Sequence, residues 1–124
     1  METIASGDAP KAIGPYSQAI RSNGLLFTSG QIALDPASGE LVKGDFSAQA
    51  RRVFQNLEAV LRAGGASFSR VTRATVYLTD LSNFQTLNGI YAEYFGDHKP
   101  ARTTVGVKEL PRGSQVEIDL IAQL

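Results

Sequence analysis

The chain has 124 residues, enough for one compact domain over residues 1–124 and too few for two. Lysine plus arginine and aspartate plus glutamate both number 12, so no net field favours nucleic acid or an anionic membrane. There are no cysteines, which excludes disulfides, thiolate metal sites and a cysteine nucleophile.

Met1-Glu2-Thr3 opens with an acid and no apolar run follows, so no secretory signal is expected. No stretch approaches the roughly 20 apolar residues of a membrane span. A cytoplasmic protein is the expectation.

The first fifteen residues end in Gly14-Pro15 and read as loop, with Tyr16-Ser17 directly after it. A hairpin follows: Gln18 to Arg21, a turn at Ser22-Asn23-Gly24, then Leu25 to Ser29. Asn23-Gly24 between two apolar runs is a strong hairpin signal, because both positions tolerate positive φ. Ser29-Gly30-Gln31 closes the second strand, and residues 35–44 have loop composition with room for a small hairpin. Asp45 to Ala63 is the clearest helix. Phe46, Ala50, Val53, Phe54, Leu57, Val60 and Leu61 recur at spacings of three and four, with Asp45 as cap and Gly64-Gly65 as stop.

Val71 to Leu78 alternates, placing Ala74, Val76 and Leu78 on one side and Arg73, Thr75 and Tyr77 on the other. Ser82-Asn83-Phe84-Gln85 has the form of a capping box. The helix behind it is expected to turn Phe84, Leu87, Tyr91, Tyr94 and Phe95 inward and to end at Gly96. Two strands follow, Thr103 to Val107 and Gln115 to Ala122, joined by the turn formers Leu110-Pro111-Arg112-Gly113. The predicted class is α+β, with order β-β-α-β-α-β-β, a mixed sheet and both helices on one face. The other face is expected to carry Arg73, Tyr77, Thr104, Glu117 and Asp119 and to be covered in part by partner subunits.

Two residues stand out for chemistry. Arg102, just after Pro100-Ala101, has a guanidinium that can grip a carboxylate bidentately. Glu117 is central in an alternating strand and can orient or deprotonate a water. If their runs pair in one sheet, the two fall on the same side, the side away from the aliphatic residues. The structural alternatives are a surface arginine with an internal partner and a cross-strand ion pair. Asn88 lies on the packed side of the second helix, where an asparagine must find hydrogen bonds. Tyr16 offers a phenol at a loop tip, Ser29 a hydroxyl and Gly30 a backbone N–H. One histidine, His98, permits neither a readily built triad nor a histidine metal cluster, and there is no phosphate-binding glycine loop. An enzyme built on these residues would use no metal, nucleotide or other cofactor.

Taken together, Gly14-Pro15-Tyr16-Ser17-Gln18-Ala19, Ser29-Gly30-Gln31, Asn56-Leu57, Asn88, Tyr91, Pro100-Ala101-Arg102 and Val116-Glu117-Ile118 resemble the Rid family. These are the YjgF-like reactive-intermediate deaminases, and the match runs over essentially the whole chain in order. The resemblance implies a chorismate-mutase-like fold and a homotrimer, its strands forming a central barrel and its sites lying between subunits. It also implies hydrolysis of 2-imino or 2-enamino acids, 2-iminobutanoate and 2-iminopropanoate among them, to 2-keto acids and ammonia. Arg102 would hold the substrate carboxylate and Glu117 the attacking water. Tyr16, Ser29, Gly30, Asn88 and Thr104 would line the pocket, Tyr16 from a neighbouring subunit. Many close relatives carry a cysteine where this chain has Thr104.

A non-catalytic trimer that binds a 2-keto acid is the alternative, and it needs Arg102 but not Glu117. Zero net charge and the lack of a basic groove argue against RNA as partner.

Overall fold

The computed structural model describes residues 1–124 and contains eight strands and α-helices. The hairpin forms as its turn dictates. Strand β2 (Ala19–Ser22) pairs antiparallel with β3 (Leu25–Thr28), and Asn23 and Gly24 both take positive φ, 51° and 77°.

Helix α1 (Phe46–Gly64) starts at Asp45, whose carboxylate accepts from Ala48 N at 3.0 Å, and stops at Gly65 in the left-handed region, φ 86°. All seven apolar positions of its predicted stripe are buried. Its close approach to the sheet is fixed at Gly64, where a Cβ would lie 2.6 Å from the methyls of Leu26.

Strand β4 (Val71–Leu78), helix α2 (Phe84–Phe95) and strand β5 (Ala101–Gly106) form a parallel crossover unit, and β6 (Val116–Gln123) returns antiparallel beside β4. A register shift between Val71 and Arg73 turns both Val71 and Ala74 inward although they are three apart. Val116, Ile118, Leu120 and Ala122 of β6 complete the sheet's contribution to the core. Both helices pack on this one face, as expected from their number. No helix is long and apolar enough to cross a membrane.

Three local expectations are corrected. The N-terminus is not all loop: Glu2–Ile4 forms a further strand, β1, giving the six-stranded order β1-β2-β3-β6-β4-β5. Three residues are too few to show periodicity, and pairing with β2 and the Glu2–Arg21 ion pair at 3.2 Å hold them. The capping box does not form. Residues 81–83 make a 3-10 turn, so Ser82 sits inside the turn and its N–H donates to the carboxylate of Asp80 at 2.9 Å. Phe84 does not turn into the core either: it is 39% exposed, while Ile90 turns inward and is 3% exposed.

Candidate functional site

Glu117 leaves β6 beside a cavity of about 500 Å³ whose walls include Tyr16, Gln18, Ser29, Gly30, Gln31 and Arg112. The wall at Gly30 is tight. A Cβ there would lie 2.5 Å from Glu117 Oε2 and 2.9 Å from Cδ, so glycine is what lets the carboxylate stand against the backbone. Gln31 exchanges both backbone hydrogen bonds with Ile118, at 2.9 and 3.2 Å, and this bridge pins the Ser29–Gln31 segment to β6. Ser29 Oγ donates to Ser17 O at 2.6 Å, and Tyr16 OH accepts from Ile13 N at 3.2 Å. Both hydroxyls therefore retain capacity: an acceptor lone pair on Ser29 and a donor proton on Tyr16. Tyr16, Ser29, Gly30 and Glu117 of one chain thus line one cavity, whereas the resemblance had Tyr16 entering from a neighbouring subunit.

Arg102 is elsewhere. Strand β5 pairs with β4, not with β6, and the register sets Arg102 beside Ala74, which itself sits beside Leu120 on the helix-covered face. Glu117 sits beside Tyr77 on the open face. The expectation that Arg102 and Glu117 share a side is therefore wrong, because β4 lies between their strands and fixes both registers. Thr104 is corrected for the same reason: it pairs with the buried Val76 and faces α2, not the open face. Arg73, Tyr77, Glu117 and Asp119 do share the open face.

Neither structural alternative for the two residues holds. The ion pairs of the fold are Arg21–Glu2, Arg51–Glu93 and Arg62–Glu58, and neither Arg102 nor Glu117 takes part in one. Arg102 instead lies over the rings of Tyr91, at 4.8 Å, and Phe84, at 5.5 Å. Phe84, Asn88 and Tyr91 are spaced four and three apart, so they form one stripe of α2. Sequence spacing contains that stripe: Asn88 is a pocket candidate there, whereas Phe84 and Tyr91 read as core positions. Asn88 Oδ1, Tyr91 OH and Thr104 Oγ1 are buried and bond to no other group of the chain. The fourth such atom in the fold, Arg21 Nε, is at the other end of the sheet, so unmet polar groups concentrate around Arg102.

The electrostatics around Glu117 and around Arg102 differ. The Glu117 carboxyl is held above the usual carboxylate range, first by burial and second by the charge of Asp119. Asp119 is raised by burial too, against the opposing pull of the Tyr77 hydroxyl, which donates to it at 3.2 Å, and of Arg73. Burial raises the Tyr91 phenol, and the Arg102 charge works against that. No cluster of three or more histidine, cysteine or acidic side chains is placed to hold a metal ion. Arg102 and the polar atoms around it can thus take an anion, and, separately, the Glu117 carboxyl can take a proton or bind a water.

The family model described as endoribonuclease L-PSP matches residues 6–124. The chain belongs to this family, the Rid family. Among its Rid relatives, Protein DfrA of Myxococcus xanthus is 56% identical over 123 residues, covering 98% of this chain and 94% of that one. The 2-iminobutanoate/2-iminopropanoate deaminase of Mus musculus is 46% identical, covering 98% of this chain and 90% of that one. Among solved Rid structures, that of Escherichia coli TdcF with bound serine superposes with a TM-score of 0.94 at 38% identity. The alignment covers 100% of this chain and 99% of TdcF.

Proposed function

We propose that the protein hydrolyses 2-imino acids such as 2-iminobutanoate and 2-iminopropanoate, and their enamine tautomers, to 2-keto acids and ammonia. The observation that carries this reading is Arg102: a partly buried guanidinium with no carboxylate partner, set among polar atoms that nothing in the chain satisfies. A substrate carboxylate supplies the missing partner. Names and ligands of relatives support the same reading, since a mouse relative is named for this activity and TdcF was solved with an amino acid bound.

In the proposed reaction water adds to C2 of the imine, and the resulting carbinolamine expels ammonia to leave the ketone. Arg102 fixes the carboxylate and withdraws electron density from the adjacent C2. Glu117 binds the water and accepts its proton, then returns a proton to the departing nitrogen. Tyr16, Ser29 and the Gly30 N–H line the Glu117 half, Asn88 and Thr104 the Arg102 half. The chemistry needs no cofactor, because the C=N carbon is already electrophilic. Arg102 and Glu117 occupy opposite faces of the sheet, which supports a site completed between copies of the chain; in the proposed homotrimer these sites lie at the clefts. A chain without cysteines is suited to a reducing cytoplasm.

The test is decay of an imine generated in situ from threonine by a pyridoxal-phosphate dehydratase. Wild type should accelerate it, and Arg102→Ala should lose about 100-fold in kcat/KM, the cost of a charge-assisted bidentate contact. Clearance by an assembled Arg102→Ala protein at the wild-type rate would refute the assignment. Glu117→Gln should still bind 2-oxobutanoate while losing rate. Binding without any turnover in wild type would leave a keto-acid-binding module instead.

A further inference from the structure

Tyr91 is not an isolated ring beneath Arg102. It stacks on Phe95 with centroids 4.2 Å apart and planes at 18°, and it meets Phe54 edge-on at 5.9 Å and 81°. Phe54 is fully buried and stacks on Tyr94 at 4.8 Å. Aromatic contacts therefore run without a break from the centre of the core to the guanidinium. Phe84, one turn before Asn88 on α2, adds a second ring at 5.5 Å, and this ring is partly exposed.

A ring face holds an arginine differently from a carboxylate. A salt bridge uses the in-plane N–H donors, the same ones a substrate carboxylate needs. Stacking uses the π face and leaves those donors free. It also restricts the plane of the guanidinium, which a long flexible side chain would not hold by itself. We propose that Tyr91, seconded by Phe84, is the positioning residue for Arg102, its ring fixing the guanidinium plane while the N–H edge stays open to an anion. The ring and not the hydroxyl does this. This inference rests on the reading that Arg102 holds the substrate carboxylate.

The probe is 2-oxobutanoate, titrated calorimetrically into wild type, Arg102→Ala, Tyr91→Phe, Tyr91→Leu and Phe84→Leu, with steady-state kinetics on each. Tyr91→Phe keeps the ring and should bind within about twofold of wild type. Tyr91→Leu should weaken binding about tenfold, and Phe84→Leu about threefold, the span expected of cation–π contacts. KM should rise by the same factors with kcat nearly unchanged, as when contacts shared by ground and transition states are lost. Phe84→Leu removes a partly exposed ring and opens no core cavity, so it carries the test should Tyr91→Leu not fold. Unchanged binding in the leucine variants, with binding lost in Arg102→Ala, overturns the inference and leaves the carboxylate site standing. Equal loss in Tyr91→Phe and Tyr91→Leu overturns it in favour of the hydroxyl. Wild-type binding by Arg102→Ala overturns the site reading itself.

Discussion

Arg102 and Glu117 lie on opposite faces of one sheet, with strand β4 between their strands. A single chain does not aim both at one small molecule. If the site forms between copies, two inactive variants should complement each other. Arg102→Ala and Glu117→Gln, unfolded and refolded together, should recover about a quarter of the wild-type sites, the fraction in which random assortment in a closed ring joins an intact arginine to an intact glutamate. Imine clearance by the co-refolded mixture, compared with a mixture of separately refolded proteins, decides it. No recovery in the co-refolded sample would mean that the halves do not combine.

Gly30 should be intolerant of the smallest side chain. In Gly30→Ala the new methyl would stand 2.5 Å from Glu117 Oε2, and the carboxylate is the group able to move. Displacing a catalytic carboxylate by about 1 Å costs on the order of 100-fold in rate. The measurement is kcat at saturating substrate, with thermal unfolding close to wild type as the control that the fold is kept.

The ionisation of Glu117 should be set in part by Asp119, its neighbour on the same face of β6. Burial is the first cause of its raised proton affinity, and the charge of Asp119 the second. Lys11 and Arg112 also line the cavity of Glu117, and Tyr77 faces it from β4. If ionised Glu117 takes the proton from water, activity rises with pH through its raised pKa. Asp119→Asn removes the like charge, so the rising limb of the kcat/KM profile should move to lower pH. A limb that stays in place or moves up would separate the two carboxyls.

The same two groups make a prediction about stability. Glu117 and Asp119 both have raised pKa values in the fold, so each favours the fold when protonated. That contribution is complete below the ordinary carboxylate pKa and disappears as pH rises through the raised value. Glu117→Gln should therefore raise Tm relative to wild type at neutral pH, and the gain should shrink towards pH 4. A constant difference across that range would assign the effect to packing.

Asn56 tests the scaffold beneath the site. Fully buried, it donates to Ile32 O at 3.2 Å and Leu34 O at 2.9 Å and accepts from Arg52 Nε at 3.1 Å. Asn56→Ala leaves Leu34 O without its side-chain donor, while Ile32 O keeps the bond from Leu34 N at 2.8 Å. A loss of about 2 kcal/mol is expected in urea unfolding, from the one unpaired carbonyl and the small cavity together.

What could be read from the sequence follows the reach of local physics. The α1 stripe, its Asp45 cap, the Asn23-Gly24 turn and the alternation of β4 and β6 each depend on neighbours a few residues away. All of these appear in the fold. The capping box failed because a 3-10 turn preceded α2, and β1 was missed because three residues have no period. Arg102 and Glu117 stand out in the sequence by type and context, and so do Tyr16, Ser29 and Gly30, which the fold gathers around Glu117 alone. The sidedness of Arg102 and Glu117 does not. β5 is a short, β-branched run, Arg102-Thr103-Thr104-Val105, in which neither parity is distinctly apolar. Its facing is set only when Ala74 and Val76 of β4 become its partners.

By itself, then, the sequence determined the longer elements, the buried stripe of α1 and the alternation of β4 and β6, and it singled out Arg102 and Glu117 by type, because propensity and periodicity are local. Tertiary structure decided that the cation and the carboxyl point away from each other, that glycine admits Glu117 to its cavity wall, and that Arg102 rests on rings and not on a counter-ion. Those outcomes depend on strand order and on contacts between residues far apart in the chain, which no local pattern encodes.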